Sequence, residues 1–546
     1  MRKRLTAAAL AAAIWIAYLP GNMGCSDSMW SIPTAVSLLD HHDATLDEYQ
    51  SIVAARRGVL TQRIGGHTYT IYPLGTSLAA IPGVVVLRPI AGAIARLAPS
   101  LWTSMAAYQA ERGCRPVDGE PVIALHSWSE RAIASALVAA TAAIVFVIAA
   151  DELAPGWAIA LAIVFAFGTS AWSTASRALW QHAPSMFLLA LALLLQIRGR
   201  RTIWIGLVLM FAYVVRPTNA IPLAAAGVWL LATRPRAVPE FALGAAIVFV
   251  PFVISNETVY GSWLPPYFRP GFYSRNAFVA EALAGDLISP NRGLLVFSPV
   301  LALAAIGFAV KAASRRLSAL DLSLAGCIVL HWIAIAASNG NWWGGHSYGP
   351  RFFADVLPYF IYFLVPAVAW MRSGGGAARR IALAAAAVLA AISVAMHAQG
   401  ALNQATVAWN GVPINIDYQP ARVWDWAQPQ FLAGVTFTPR PLAPIDFDAT
   451  PCAAPPGEPG APVVEAIAHH SVALRWLPAR GAVAVYVVEV GYRPGSNDLP
   501  SHEVRDVQQA RLTVDRVPPG TYYARVVARN KCGISPPSPY VEVKVP

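Results

Sequence analysis

Arg379-Arg-Ile-Ala-Leu-Ala-Ala-Ala-Ala-Val-Leu-Ala-Ala-Ile-Ser-Val-Ala-Met-His-Ala398 carries its charge only at its start. An α-helix needs roughly 20 apolar residues to cross the hydrocarbon of a bilayer. Arginines at one end hold that end on the cytoplasmic side. The same pattern recurs along the chain. Runs near 5–20, 74–97, 127–150, 156–174, 179–197, 202–215, 217–232, 238–255, 294–310, 319–338, 353–371 and 379–398 are apolar enough to be spans or near-spans. Of the 546 residues 56% are hydrophobic and 13% charged. A soluble domain carries about a quarter charged residues. The chain therefore reads as a polytopic α-helical membrane protein of about 11–13 transmembrane helices.

The net charge of +11 gathers in short clusters between runs: Arg2-Lys3-Arg4, Arg198/Arg200/Arg201, Arg234/Arg236, Lys311/Arg315/Arg316 and Arg372/Arg379/Arg380. This is a topology signal, not a nucleic-acid one. From Arg198 onward the clusters alternate and place loops 258–293 and 339–352, and everything after 398, outside. An inside start and an outside end require an odd number of crossings. The irregularity falls on run 74–97, broken by Arg88-Pro89, and on segment 98–126. The first run reads as a retained helix, because Pro20-Gly-Asn-Met-Gly24 is a poor cleavage site. The expected location is a multi-pass cell (cytoplasmic/inner) membrane with an extracytoplasmic C-terminal domain.

Three regions follow. Residues 1–400 form the transmembrane domain, with a large first outer loop over 21–73. Residues 401–462 form an extracytoplasmic loop and a Pro-rich linker. Residues 463–546 change to period-two alternation, as in Ser471-Val-Ala-Leu-Arg-Trp476 and Val485-Tyr-Val-Val-Glu-Val490, which predicts a small all-β immunoglobulin-like sandwich. Leu474-Arg-Trp476, Pro519-Gly-Thr-Tyr-Tyr-Ala-Arg-Val-Val-Ala-Arg-Asn530 and Gly533-Ile-Ser-Pro-Pro-Ser538 resemble a fibronectin type III domain over about 455–546. The resemblance makes Trp476 the core tryptophan and Tyr522 the corner tyrosine. It implies protein or glycan binding, or a spacer. Cys452 and Cys532 flank the domain and are expected to pair.

Polar residues interrupt the apolar body in four places. One is the Asp27 loop, Cys25-Ser-Asp-Ser-Met-Trp-Ser31, with Tyr69-Thr-Ile-Tyr72-Pro-Leu-Gly75 at its end. The others are Ser173-Thr-Ala-Ser-Arg177 to His182, Pro290-Asn-Arg292-Gly293, and Trp342-Trp-Gly-Gly-His346-Ser-Tyr348-Gly-Pro-Arg351 to Asp355. Arg216 also lies within a run. Ionisable groups at membrane depth are costly and tend to be paired or functional. The plain alternatives are that Asp27 caps a surface helix starting near Ser28, that Arg216 pairs within the bundle, and that Gly293 and Gly349 only form turns.

Together the four segments resemble the GT-C superfamily of integral-membrane glycosyltransferases, on the branch of protein mannosyltransferases and aminoarabinose transferases, over roughly 1–400. The matching positions are an acidic residue after helix one (Asp27), Tyr72-Pro73 before helix two, and Ser176-Arg177. The chain departs from the pattern where Ser28 follows Asp27, the nearest Asp-Glu being Asp47-Glu48, and where His182 replaces an Asp. The resemblance implies inverting transfer of a hexose or pentose from a polyprenyl-phosphate sugar to an extracytoplasmic glycan or protein. Asp27 would be the base. Tyr72, Arg177, His182, Arg292, His346, Tyr348 and Arg351 would bind substrate, Arg292 and Arg351 gripping phosphate. Membrane lipid and lipid-linked sugar are the expected partners, with no nucleic acid. No covalent cofactor and no metal ligand is assigned, and the sequence leaves a need for a divalent metal open. The alternatives are a transporter or flippase of a lipid-linked substrate, and a non-catalytic membrane protein displaying its sandwich.

Overall fold

The computed structural model describes all residues except 1, 25–26, 57–58, 113, 115–116, 270–275, 339, 375, 418, 442–444, 469, 498 and 500. Cys25, singled out above, lies outside the described residues. Two compact units emerge. The first comprises Met1–Ser274, Val279–Asn410 and Val423–Thr438; the second comprises Arg275–Phe278, Gly411–Arg422 and Pro439–Pro546.

Each of the twelve apolar runs is helical in the first unit: α1 (Arg2–Tyr18), α2 (Gly75–Leu97), α3 (His126–Ala149), α4 (Pro155–Phe167), α5 (His182–Ile197), α6 (Thr202–Val215), α7 (Ala220–Thr233), α8 (Val238–Tyr260), α9 (Leu303–Ala313), α10 (Ala319–Ser338), α11 (Leu357–Arg372) and α12 (Ala377–Leu402). Six of them, α2, α3, α8, α10, α11 and α12, are long and apolar enough to cross a membrane. α3 and α11 are largely enclosed by the others, whereas α2, α8 and α12 bury little of their length. On those outer helices Val85, Val86, Ile90, Leu243, Ile247, Ile254, Ile381 and Val388 stay exposed. Water would penalise so continuous an apolar surface, and lipid does not. The segment where charge alternation breaks down folds as α2, with Pro82 and Pro89 inside it, followed by the separate helix Pro99–Glu111.

One end of this unit carries the basic clusters. Lys3 Nζ donates to the Ala150 carbonyl at 2.7 Å, and Arg198 Nη2 lies 2.9 Å from Asp151 Oδ2. Lys311 and Tyr362 both donate to the buried Asp321. The polar loops sit at the other end. The first of them holds the helix Ser31–Asp40 and a hairpin of β1 (Thr61–Ile64) and β2 (His67–Thr70). Asp47 pins that hairpin, accepting from Thr68 N at 2.9 Å and meeting His67 Nδ1 at 2.6 Å. The His67 bond, with the Thr68 bond behind it, holds the Asp47 carboxyl below its usual range. Asp47 thus acts inside the loop's own framework.

The second unit is a β-sandwich. A five-stranded sheet runs β10 (Val541–Val545), β8 (Gly520–Asn530), β5 (Val485–Gly491), β6 (His502–Val504), with β9 (Gly533–Ile534) also on β8. A three-stranded sheet runs β3 (Val463–Ala468), β4 (Ser471–Arg475), β7 (Arg511–Val514). Inward residues of both sheets share a core around Trp476, whose ring meets Tyr486 edge-on at 5.5 Å. The Tyr522 hydroxyl donates to the Pro518 carbonyl at 3.0 Å, as a corner tyrosine should. Cys452 and Cys532 are bonded. The stretch expected to be a linker is fastened to the connection between β4 and β5, since Gly457 N donates to Arg480 O and Gly460 N to Leu477 O.

α6 and α8 pack backbone to backbone. A Cβ on Gly206 would strike the Phe241 carbonyl, and one on Gly244 the Ile203 carbonyl. Such small-residue contacts carry helix association where no hydrophobic effect acts between helices. Gly206→Ile is expected to separate the pair and lower the melting temperature of the detergent-purified protein, while Gly156→Ala, at an exposed helical glycine with open space around it, leaves it within error. An unchanged melting temperature for Gly206→Ile would refute this packing.

Candidate functional site

Asp27 lies in a turn just before the helix Ser31–Asp40, whose N-cap is Trp30. It is therefore not the helix cap. Its Oδ2 accepts from Arg351 Nη2 at 3.2 Å, with the Asp27 side chain about one-third exposed (34%) and that of Arg351 17% exposed. Arg351 reaches that position because the glycine-rich loop before it turns sharply. Gly344, Gly345 and Gly349 all have φ near +60° to +75°, a region open mainly to glycine. A side chain at Gly349 would also collide with Phe297. The Arg351 guanidinium lies over the rings of Trp180, at 5.4 Å, and Phe352, at 5.2 Å.

Tyr72 borders the ion pair. Burial first, and then the Asp27 carboxylate within hydrogen-bonding reach, push its phenol well above the usual tyrosine range. Its ring packs on Tyr267 at 5.6 Å, and the Tyr267 hydroxyl lies 3.4 Å from Gln181 Oε1. Several buried donors converge here without a partner among the described residues: Arg351 Nε, Trp180 Nε1 and Gln181 Nε2. Native proteins seldom leave such groups unsatisfied, so these are places for a polar ligand.

Behind Phe352 sits a buried ionic cluster. Arg216 Nη1 is 2.9 Å from Asp355 Oδ2, an ion-pair contact not aligned as a hydrogen bond. His182 Nδ1 is 3.1 Å from Asp355 Oδ1 and also meets Arg216 Nη1. Arg216 lies 5.5 Å from the Phe352 ring, opposite in sequence logic to Arg351, and His331 Nε2 donates to the Phe352 carbonyl at 2.9 Å. One phenylalanine is thus flanked by both arginines.

An apolar cavity of about 480 Å³ opens beside the pair. Leu78 of α2, Phe211 and Val214 of α6, and Val248 and Phe252 of α8 line it, and Tyr72 and Tyr267 form part of its wall. The same two tyrosines therefore border both the groove and the Asp27 site.

Of the residues expected to bind substrate, the structure gathers Tyr72, Arg351 and Asp27, and sets His182 in the cluster behind Phe352. The others stand differently. Arg177 is buried, with Nη1 donating to Pro20 O at 2.8 Å, Nη2 to Tyr18 O at 2.7 Å and Nε to Ser176 Oγ. It caps the carbonyl end of α1, so the donors expected to bind substrate are engaged by the protein itself. Arg292 is 2% exposed and donates to Trp343 O, Asn291 O, Gly345 O, Gln430 Oε1 and Asn410 Oδ1. These bonds tie the segments around Trp343, Asn410 and Gln430 together. Tyr348 is buried, donates to Met396 O at 2.6 Å and packs on Gly400. Burial drives its phenol far upward, so it is a core residue. His346 is exposed on the glycine loop.

Sequence reasoning left Asp355, Tyr267, Trp180 and Gln181 unassigned and Arg216 as a bundle pair. The usable signal was charge inside apolar sequence: Arg216 and Asp355 each interrupt or open an apolar run, and together they make one pair. Among the described residues no group of three or more His, Cys, Asp or Glu side chains is arranged to hold a metal ion.

Residues 457–544 match the fibronectin type III domain family, and the β-sandwich is of that type. No curated protein matches the chain. Among solved structures the chain is similar to the twitchin kinase region from C. elegans (28% identity, 17% of each chain, TM-score 0.16) and to titin domains A168–A170 (22% identity, 18% of this chain and 33% of that one, TM-score 0.14). In both cases the chain spans a third or less of the other's length. It is also similar to ArnT from Cupriavidus metallidurans bound to undecaprenyl phosphate, with 13% identity over 74% of this chain and 68% of that one and a TM-score of 0.43.

Arg216→Met would leave Asp355 charged and buried without its cation. Breaking a buried pair in this way typically costs about 3–5 kcal/mol. The expected result is a large loss in chemical-denaturant stability in micelles, mostly restored when Asp355→Leu is added. No recovery in the double variant would mean the two side chains do not compensate one another.

Proposed function

We propose that this chain is a GT-C-type membrane glycosyltransferase, in a multi-pass cell membrane, that moves a sugar from a polyprenyl-phosphate donor to an extracytoplasmic glycan or protein acceptor. The observation that carries this reading is the apolar groove that shares Tyr72 and Tyr267 with the Asp27–Arg351 pair. A ligand with a long hydrocarbon tail and an anionic head matches that arrangement: apolar wall first, guanidinium at the end. Simple charge pairing does not call for a groove, and a lipid groove does not call for a carboxylate with orphan donors around it.

In the proposed reaction the donor phosphate draws the Arg351 guanidinium away from Asp27, in a charge-assisted bond of the kind arginine makes best. The freed Asp27 carboxylate takes the proton of the acceptor hydroxyl. That oxygen forms the new bond to the anomeric carbon from the face opposite the phosphate, so the configuration inverts. The bond from anomeric carbon to phosphate oxygen breaks, and polyprenyl phosphate leaves with the electron pair. Trp180 and Gln181 supply donors for sugar hydroxyls. The Arg216–Asp355–His182 cluster holds Phe352, and through it Arg351, in place. The Cys452–Cys532 bond supports an oxidising, extracytoplasmic setting for the C-terminal domain, where the domain would hold an acceptor or a partner.

Transfer of labelled sugar from polyprenyl-phosphate donors by the full chain in liposomes tests the reading. Asp27→Asn is expected to lower kcat by about 10²–10⁴-fold, the usual worth of a general base. Leu78→Trp, which narrows the groove, is expected to raise the donor KM more than it lowers kcat. Equal rates for wild type and Asp27→Asn would remove Asp27 as the base. Donor binding without transfer by the wild type would favour a lipid carrier instead.

A further inference from the structure

Beneath the turn that carries Asp27 lies a second buried polar group that the proposed chemistry does not use. Glu130, near the start of α3, has no exposed surface. Its Oε2 accepts from Leu179 N at 3.5 Å, and its Oε1 has no partner among the described residues. The Ser28 hydroxyl lies within interaction range of the same carboxylate, though not aligned as a hydrogen bond. Arg56 faces this group, close enough for its charge to reach Glu130. Its Nη2 is 3.5 Å from His126 Nε2, its Nη1 donates to Met29 Sδ at 3.2 Å, and its guanidinium lies 5.9 Å from the Trp30 ring.

The sequence neighbours of these contacts decide their meaning. Ser28 follows Asp27. Leu179 precedes Trp180, whose ring lies against Arg351. Glu130 therefore accepts from a residue adjacent to the Arg351 stacking partner and lies within interaction range of a residue adjacent to Asp27. A fully buried carboxylate near the start of a membrane-spanning helix is costly, and packing alone would be served as well by leucine or methionine. The Arg56 charge offsets part of that cost and does not explain why an oxygen faces the Leu179 amide.

We infer that Glu130 is a positioning residue, tying the Asp27 turn to the Leu179–Trp180 segment and so fixing how Asp27 and Arg351 face each other. Its use in catalysis rests on the glycosyltransferase reading above. Its hold on the geometry does not.

Two readouts on the full chain in liposomes separate the two claims. The first is sugar transfer. Glu130→Leu is expected to lower kcat by roughly 10–100-fold, the scale of an ångström-sized misplacement, with little change in donor KM. Glu130→Gln, which keeps an accepting oxygen, is expected to recover most of the rate. Placed on Asp27→Asn, the leucine change should add no further loss, because the two act through one geometry. Wild-type kcat in Glu130→Leu, or a fully additive loss with Asp27→Asn, would overturn the inference. The second readout needs no activity: cross-linking by a short bifunctional thiol reagent in a chain carrying Asp27→Cys with Arg351→Cys. Cross-linking should fall when Glu130→Leu is added and return with Glu130→Gln. Unchanged cross-linking would overturn the inference. Glu130-dependent cross-linking in a protein that transfers no sugar would sustain it while removing the glycosyltransferase reading. If Glu130→Leu does not fold, Glu130→Asp, shortened by one methylene, takes its place in both comparisons, with the same expected losses.

Discussion

The buried ion pair of Arg216 with Asp355, bridged by His182, is the constraint on which the site depends. A lone charge in this apolar body would be costly, so neither partner is dispensable without the other. Asp355 belongs to the short turn Arg351–Val356 that opens α11, and Arg216 closes α6. Their pairing fixes that turn against the bundle. It places Phe352 between two guanidiniums and presents Arg351 to the outer loops. Everything at the Asp27 site is built on that presentation.

Much of the fold was legible in the sequence because the free energy of moving a residue from water to lipid is largely local. Every apolar run proved helical for that reason. The sandwich was legible because period-two alternation fixes which side chains face a shared core. Less visible were β3 and β6, which sit at sheet edges and are partly exposed, and the helices Ser31–Asp40 and Pro99–Glu111. Those elements form at the boundary between body and solvent, where hydropathy gives a weak signal. The parity of the charge clusters failed over the stretch where α2 is followed by a helix outside the set of runs.

The site was half legible, and arginine shows why. Arg177, Arg292 and Arg351 all stand beside polar residues at the ends of apolar runs, and sequence treats them alike. What separates them is how many of their donors the fold already satisfies. Arg177 meets the carbonyls that close α1, and Arg292 meets five acceptors drawn from residues as distant as Asn410 and Gln430. Arg351 keeps Nε without a partner beside one carboxylate. Donor satisfaction is a property of tertiary packing, since Tyr18 and Pro20 for Arg177, and Asn410 and Gln430 for Arg292, lie more than a hundred residues away. No local motif can encode it.

The pairing of Asp27 with Arg351 has a further consequence on the proposed reading. A base held by a guanidinium is quiet, because its lone pairs are engaged and its negative charge is stabilised. An anionic head entering along the groove competes for that same guanidinium. Occupation by donor and release of the base then become one event, with no separate switch required. The geometry suits this order, since the groove and the ion pair meet at Tyr72, whose phenol stands next to Asp27. A neutral apolar molecule in the groove would leave the pair intact, as would a free anion with no tail to hold it there. Only a ligand carrying both features would engage both parts, so selection of a lipid-linked anion and activation of the carboxylate follow from a single arrangement of charges.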